Sequence, residues 1–513
     1  MRIQLRAAPT ATLTAAPAAV PTSGWRRVFG DWATVGSATA VCHGLGAATS
    51  LLLRMLLSPA QMGIWQALKL FLGYGNYANL GISKGAAREY NIALGAGNAD
   101  LARRGLNLAY AVNTLSSLGY AAVLLGAAFW IAASGADTWT GTWATGLMVI
   151  AGLAVLGRYV TFHVTILRTR QAFATTSRLA ILEAALTLAV CVPGAWYGGL
   201  PGLYAGTMVV MLGSLLFVRR RAAVALHWAW DVAEVRRLIA IGAPILLAGA
   251  VATLFRSLDK LMILAYLSDR EFQLGCYSLA LMVTGQLFGL GNMLSTVTGP
   301  RYGEKYGETG DRRVVARLVA RCGELHAAAM ALPAALALVL APPVLGRLLP
   351  DYQTGLPPLL WLVPGAVLSA LALPASQYLV AVGRQRRALV GVLIATGVAA
   401  VGNHVALSGG YGLVGVAVAT ACGYAVYFVL IVGVSFWIEL DAADRFRYVA
   451  SLLLALGPTL ATAVCLERSW PVAETDWRAT AAKIGVVTLV WVWSVALGWR
   501  RGWKEDLRSR RDA

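Results

Sequence analysis

Apolar residues in this chain gather into about fourteen stretches of helix-spanning length. They begin near Trp32, Gln61, Leu108, Trp143, Leu179, Leu200, Leu238, Phe272, Leu325, Leu356, Ala388, Leu413, Tyr448 and Ala481. A hydrocarbon core about 30 Å thick takes roughly 20 apolar residues per helix. The pattern therefore predicts an all-α polytopic membrane protein of about fourteen transmembrane helices. The cations alternate with the connections. If the N-terminus is cytoplasmic, 33 of the 43 Lys and Arg residues lie on connections and tails of its side. The opposite connections hold only Arg54, Arg270, Arg347, Arg468, Arg478 and Lys483, and Lys69, Arg158, Arg256 and Lys260 lie inside apolar segments. The positive-inside rule then gives an even number of spans, both termini cytoplasmic, and a multi-pass bacterial inner-membrane location.

Composition changes this picture little. A chain 58% hydrophobic and 13% charged has too little polar surface for a soluble protein of 513 residues. The net charge of +19 suits cytoplasmic anchors facing anionic head groups, and no nucleic-acid partner is expected. The six cysteines are scattered without metal-ligand spacing, so neither disulfides nor a metal site is expected. Residues 1–30 read as a cytoplasmic tail. An Ala/Thr/Pro tract without the continuous apolar run of a signal peptide leads into the basic-aromatic stretch Trp25–Trp32, which suits an interfacial anchor.

The connections also exclude functions. The longest outward one runs only from about Leu466 to Ala481, too short for the acceptor-binding domain of a membrane glycan polymerase or ligase. No GxxxxGK[ST], HExxH, GxSxG or CxxC is present. The expectation is transport and not enzymatic catalysis, with no cofactor.

Two parts of the chain echo each other. The outward turn Leu57-Ser58-Pro59-Ala60-Gln61-Met62-Gly63-Ile64-Trp65 returns as Leu267-Ser268, a polar link, then Gly275-Cys276-Tyr277. Arg168-Thr169-Arg170 followed by Gly198-Gly199-Leu200 returns as Arg384-Gln385-Arg386 followed by Gly409-Gly410-Tyr411. The inward loops 83–107 and 299–321 correspond as well. The matching order predicts two pseudo-symmetric six-helix bundles, residues 31–220 and 221–440, around a central cavity. Residues 441–513 would add two helices and a basic tail. Repeats of the same orientation predict rocking about an axis along the membrane normal.

Arg54-x-x-x-Ser58-Pro59-x-x-x-Gly63-Ile64-Trp65, followed by Asn79-Leu80-Gly81-Ile82 and Arg88, resembles the N-terminal signature of Wzx-type polysaccharide flippases. These belong to the multidrug/oligosaccharidyl-lipid/polysaccharide (MOP) exporter superfamily, whose members often carry Asp where this chain has Asn79. The resemblance implies movement of a polyprenyl-diphosphate-linked oligosaccharide from the cytoplasmic to the periplasmic leaflet. It also implies partners among membrane lipids and other polysaccharide assembly proteins. A drug or small-solute cation antiporter of the same superfamily is the alternative.

Ionisable side chains at membrane depth are expensive and mark pathways or partners. Arg256, Asp259 and Lys260 share one face of their helix, and Lys69 and Arg54 add cations in the other half. A diphosphate suits such groups. The candidate substrate-binding residues are thus Arg256, Lys260, Asp259, Lys69, Arg54, Asn76, Asn79 and Asn292, the asparagines facing sugar hydroxyls. Asp259 and Glu183 are candidate sites for Na⁺ or H⁺ coupling. The blander readings stand beside these: an Arg256–Asp259 ion pair, a Glu183–Arg178 interfacial pair, outward snorkelling of Lys69, snorkelling of Arg158 toward the cytoplasm, and interhelical hydrogen bonds for the asparagines.

Overall fold

The computed structural model describes residues 24–95, 98–135, 140–169, 172–222, 226–470 and 477–509. The expected tail falls outside them up to residue 23, and so do the side chains of Trp25–Trp32, whose backbone forms the opening turns of the first helix. Helix is the only regular secondary structure among the described residues.

Twelve helices are long and apolar enough to cross a membrane. Two features bring the spans to fourteen among the described residues. The run Ala174–Arg221 has 48 residues, about 72 Å if straight, more than twice a hydrocarbon core. It folds back at Gly199, whose φ of 55° and ψ of −137° are not helical. Gly194 and Gly202 then pack backbone to backbone. The run is thus a hairpin of two spans: α6 (Phe173–Leu186) with a π-helical turn at Thr187–Cys191 and the first residues of α7 (Val192–Ala222) make one, and α7 beyond Gly199 makes the other. The second feature is a broken span. α2 (Pro59–Tyr74) and α3 (Ile82–Gly95) are separated by a 3₁₀ turn, Gly75–Tyr77, and by left-handed Leu80 and Gly81. The expected inward loop 83–107 is therefore mostly helix. The expected loop 299–321 is helix too: α9 (Arg270–Thr309) continues beyond the apolar stretch through Pro300, and only Gly310 and Asp311 separate it from α10 (Arg312–Leu348). Charged residues on a helix that outruns the bilayer look like a loop in a hydropathy pattern.

The remaining helices are α1 (Gly24–Leu56), α4 (Ala99–Ser134), α5 (Thr140–Thr169), α8 (Val232–Tyr266), α11 (Leu356–Ala381), α12 (Gln385–Ser408), α13 (Gly412–Val434), α14 (Ala442–Ser469) and α15 (Trp477–Ser509). Their starts follow local chemistry. Ser58 and Gln61 make a capping box with Pro59 at the first position of α2. Asn98, Asp231, Asp311 and Asp441 accept from free N–H groups at the starts of α4, α8, α10 and α14.

Helices α1–α7 pack among themselves, α8–α13 do likewise, and α14 and α15 lie against α10. Large apolar side chains remain exposed on the protein alone, among them Val123, Phe129 and Leu489. In a bilayer these face acyl chains. Exposed Trp196, Tyr197, Tyr411 and Trp470 stand at one boundary and Trp228 and Trp230 at the other, as aromatic belts do. Lys483, only 3% exposed, is paired with Glu467 at 2.8 Å, which ties α15 to α14.

Candidate functional site

The two groups of helices meet at two backbone-to-backbone crossings. At the outer end, a Cβ on Gly63 would lie 1.7 Å from the carbonyl oxygen of Glu271, and one on Gly275 would lie 1.7 Å from that of Pro59. Gly63 and Gly275 are the glycines matched by the sequence echo, and each contact residue sits four positions before its own glycine. The contact between α2 and α9 is thus reciprocal, as a two-fold related pair requires. Three side chains reinforce it. Arg54, 3% exposed, donates from Nη2 to the Ser278 carbonyl at 2.8 Å and to Ser278 Oγ at 3.0 Å. Tyr352 donates to the Leu57 carbonyl at 2.8 Å, and Trp143 Nε1 to Glu271 at 3.1 Å.

The inner crossing joins α3 to α8. A Cβ on Gly242 would lie 2.0 Å from the Gly81 carbonyl, and one on Gly85 would lie 2.1 Å from that of Leu238. Gly81 has a φ of +90°, a left-handed conformation open mainly to glycine. Tyr77 hydrogen-bonds Thr253 and the Gly249 carbonyl, Tyr74 meets Ser257 at 2.5 Å, and Arg237 pairs with Glu89 at 3.1 Å. Both ends of the seam between the halves are therefore closed.

Between the crossings stand the cations. Lys69 lies about 15 Å along α2 from its outer end, and Arg256 about 15 Å along α8 from its outer end, so both are near mid-membrane. Lys69 keeps its side chain exposed, its Nζ 5.7 Å from the Trp65 ring centre. It is within electrostatic reach of Arg54 and Lys260. Arg256 is exposed as well, its guanidinium 5.3 Å from the Phe288 ring centre. Neither Lys69, Arg256 nor Lys260 has an ion-pair partner within 4 Å among the described residues. The expected alternative of an Arg256–Asp259 ion pair is thus not formed. Asp259 is 2% exposed. It accepts from Tyr277 Oη at 3.0 Å and from the Lys260 backbone N–H at 2.8 Å.

The structure divides the other candidates. Asn76 and Asn292 are exposed. Asn79 is 4% exposed, and its amide donates to Asn113 and Ser83, each at 3.0 Å, while its oxygen accepts from Gly81 N–H. Those bonds hold the broken span in place. Arg158 does not snorkel toward the cytoplasm: it folds inward onto the carbonyls of Asn76 and of Gly75, the latter also accepting from the Ala78 N–H of the 3₁₀ turn. Glu183 stands apart, beside Ser214 of α7, and makes no ion pair with Arg178 among the described residues. His43 of α1 meets Gln286 of α9 at 3.0 Å, with Gly289 packed against its ring.

Sequence reasoning missed Asn403 and Thr420. Asn403 is fully buried, and neither atom of its amide has a hydrogen-bond partner. It lies one turn beyond Ala399, which shares an apolar cluster with Phe255 of α8. Thr420, 3% exposed, is close to Tyr277, with its Oγ making no hydrogen bond of normal geometry. An Asn inside an apolar segment was the available signal.

The family model described as "Polysaccharide biosynthesis protein" matches residues 52–349, more than half of the chain and including both crossings. The chain belongs to that family. Its fold is that of MOP superfamily transporters. A structure titled "Lipid II flippase MurJ, inward closed conformation" superposes with a TM-score of 0.69 at 14% identity, covering 91% of this chain and 99% of that one. An inward-facing multidrug resistance MATE transporter matches with a TM-score of 0.58 at 15% identity over 81% of this chain and 95% of that one. A MOP superfamily transporter from Pyrococcus furiosus, whose title reports a binding pocket of reverse polarity, gives 0.57 at 14% identity over 82% and 96%. At such identities the likeness is one of fold. Among curated proteins, none matches the sequence. The chain thus shares its fold with membrane transporters.

Proposed function

We propose that the protein flips a polyprenyl-diphosphate-linked oligosaccharide from the cytoplasmic to the periplasmic leaflet of the bacterial inner membrane, for surface polysaccharide synthesis. The observation that carries this reading is the sign of the seam. Lys69 stands within electrostatic reach of Arg54 and Lys260, Arg256 lies one turn before Lys260 on α8, and the nearby carboxylate, Asp259, is buried against Tyr277 of α9. A diphosphate offers several acceptor oxygens and at least two negative charges to such a surface. The antiporter reading, with a cationic substrate, would need the reverse arrangement.

In the mechanism we infer, the inner crossing of α3 and α8 parts and the glycan head enters between the halves. Its diphosphate then meets Lys69, Arg256 and Lys260, with exposed Asn76 and Asn292 available to sugar hydroxyls. The polyprenyl tail stays in lipid, which requires a lateral opening. Rocking closes the inner crossing and parts the outer one. A dianion leaving an inside-negative compartment gains about 4–5 kcal/mol per 100 mV over the full field, so the potential suffices as a drive. Asp259, bonded to Tyr277, is our candidate for H⁺ or Na⁺ coupling. Glu183 is a second candidate.

Deletion of the gene with analysis of lipid-linked intermediates tests this reading. The expected result is loss of one surface glycan with accumulation of its polyprenyl-diphosphate precursor, rescued by wild type and not by Arg256→Ala at equal expression. Unchanged glycans and precursors would overturn it.

A further inference from the structure

Away from the seam, α6 and α7 enclose a groove of about 370 Å³, walled by Leu182, Leu186, Leu216 and Phe217 and floored at Gly213. Its mouth carries Arg220 and Arg221, both exposed and without an ion-pair partner among the described residues. The apolar part of α7 ends at these arginines, so the mouth sits at the cation-rich membrane boundary and the groove runs from it into the hydrocarbon. Gly213 makes the space: a Cβ there would lie 3.0 Å from Leu186 Cδ1, and a larger side chain would fill the floor.

The ligand class follows from these walls. An apolar slot of this size, open toward acyl chains and ending in two unneutralised guanidinium groups, complements an amphiphile with an anionic head. Arginine forks match phosphate oxygens, and basic pockets between membrane helices on the cytoplasmic side hold anionic head groups. We infer that the α6–α7 groove binds one anionic phospholipid, its phosphate on Arg220 and Arg221 and one acyl chain against Leu182, Leu186, Leu216 and Phe217. Glu183 and Ser214 neighbour the groove residues in sequence, so an ordered lipid there would steady the two helices that carry them. The site is separate from the seam and does not depend on the glycolipid reading.

The test uses the full chain purified in detergent, with phosphatidylglycerol or phosphatidylcholine added and retained lipid counted by native mass spectrometry. Wild type is expected to keep one phosphatidylglycerol and to discriminate against phosphatidylcholine. Arg220→Gln with Arg221→Gln is expected to weaken retention about 30-fold, the loss of two head-group contacts of about 1 kcal/mol each. Gly213→Leu is expected to abolish retention with the charges intact, and Leu216→Trp fills the same groove from its other wall should Gly213→Leu fold poorly. Arg312→Gln with Arg313→Gln, at the start of α10, is expected to bind as wild type. The inference is overturned if the groove-filled variants retain phosphatidylglycerol normally, or if the α10 variant loses it as the α7 variant does. Displacement of phosphatidylglycerol by equimolar polyprenyl diphosphate would also overturn it, because the groove would then belong to the substrate.

Discussion

Gly275→Ala is expected to open the outer crossing. The added methyl would lie 1.7 Å from the Pro59 carbonyl oxygen and 2.4 Å from its carbon. Ordinary contact begins near 3.4 Å, and both sides of this contact are backbone, so no rotamer change relieves it. The helices α2 and α9 must therefore separate by about 1.7 Å at this level, which weakens the Arg54–Ser278 and Tyr352–Leu57 bonds beside it. Overpacking of this kind costs about 1–3 kcal/mol. Imposed on one of two conformations, it shifts their ratio roughly 5- to 150-fold. The assay is a spin–spin distance between labels at Ala60→Cys and Phe272→Cys in a cysteine-free chain, in liposomes. The distribution is expected to move to longer distances in Gly275→Ala. It should stay unchanged in Gly285→Ala, because Gly285 has nothing within 4 Å of its Cβ position. An unmoved distribution in Gly275→Ala would refute the assignment of this crossing as a closure.

Three further outcomes are expected. Lys69→Gln combined with Lys260→Gln should lower initial transport rates at least tenfold at unchanged protein level, measured in cells by precursor accumulation; a normal rate would remove the seam cations from the pathway. Lys483→Met leaves the half-buried Glu467 carboxylate without its cation, at a cost of about 1–3 kcal/mol; its thermal midpoint in detergent should fall, and adding Glu467→Leu should restore most of it. Asn79→Ala should destabilise the fold by about 1–3 kcal/mol through orphaned partners at Asn113 and Gly81, read as a lower thermal midpoint, whereas retained stability with lost substrate affinity would return Asn79 to the binding surface.

Span number and architecture were legible because a bilayer imposes a fixed length of apolar helix, and the cations mark the sides. The broken span was not. Residues Gly75–Gly81 hold two glycines and two asparagines, a breaker signal inside an otherwise apolar stretch, but the turn also depends on Arg158 and Asn113 reaching it from elsewhere in the fold. The reciprocal contact of Gly63 and Gly275 was half visible, as an echo of two turns whose meeting in space no spacing reveals. For the candidate site, the charged residues announced themselves against an apolar background. Their grouping did not: Asp259 and Arg256 share a helix face in sequence, yet one is bonded to Tyr277 and the other stands over Phe288. Asn403 was hidden for a different reason, since a single amide in a helix gives no hint that its partners are missing.

In the proposed function a cationic seam carries a lipid-linked anion across the bilayer. The most direct measurement is translocation of a fluorescent polyprenyl-diphosphate oligosaccharide in proteoliposomes, followed as accessibility to a membrane-impermeant quencher. Wild type is expected to move the diphosphate lipid and not a neutral polyprenyl glycan, and Arg256→Ala is expected to abolish movement at equal incorporation. Equal transport of the neutral lipid, or full activity of Arg256→Ala, would contradict it.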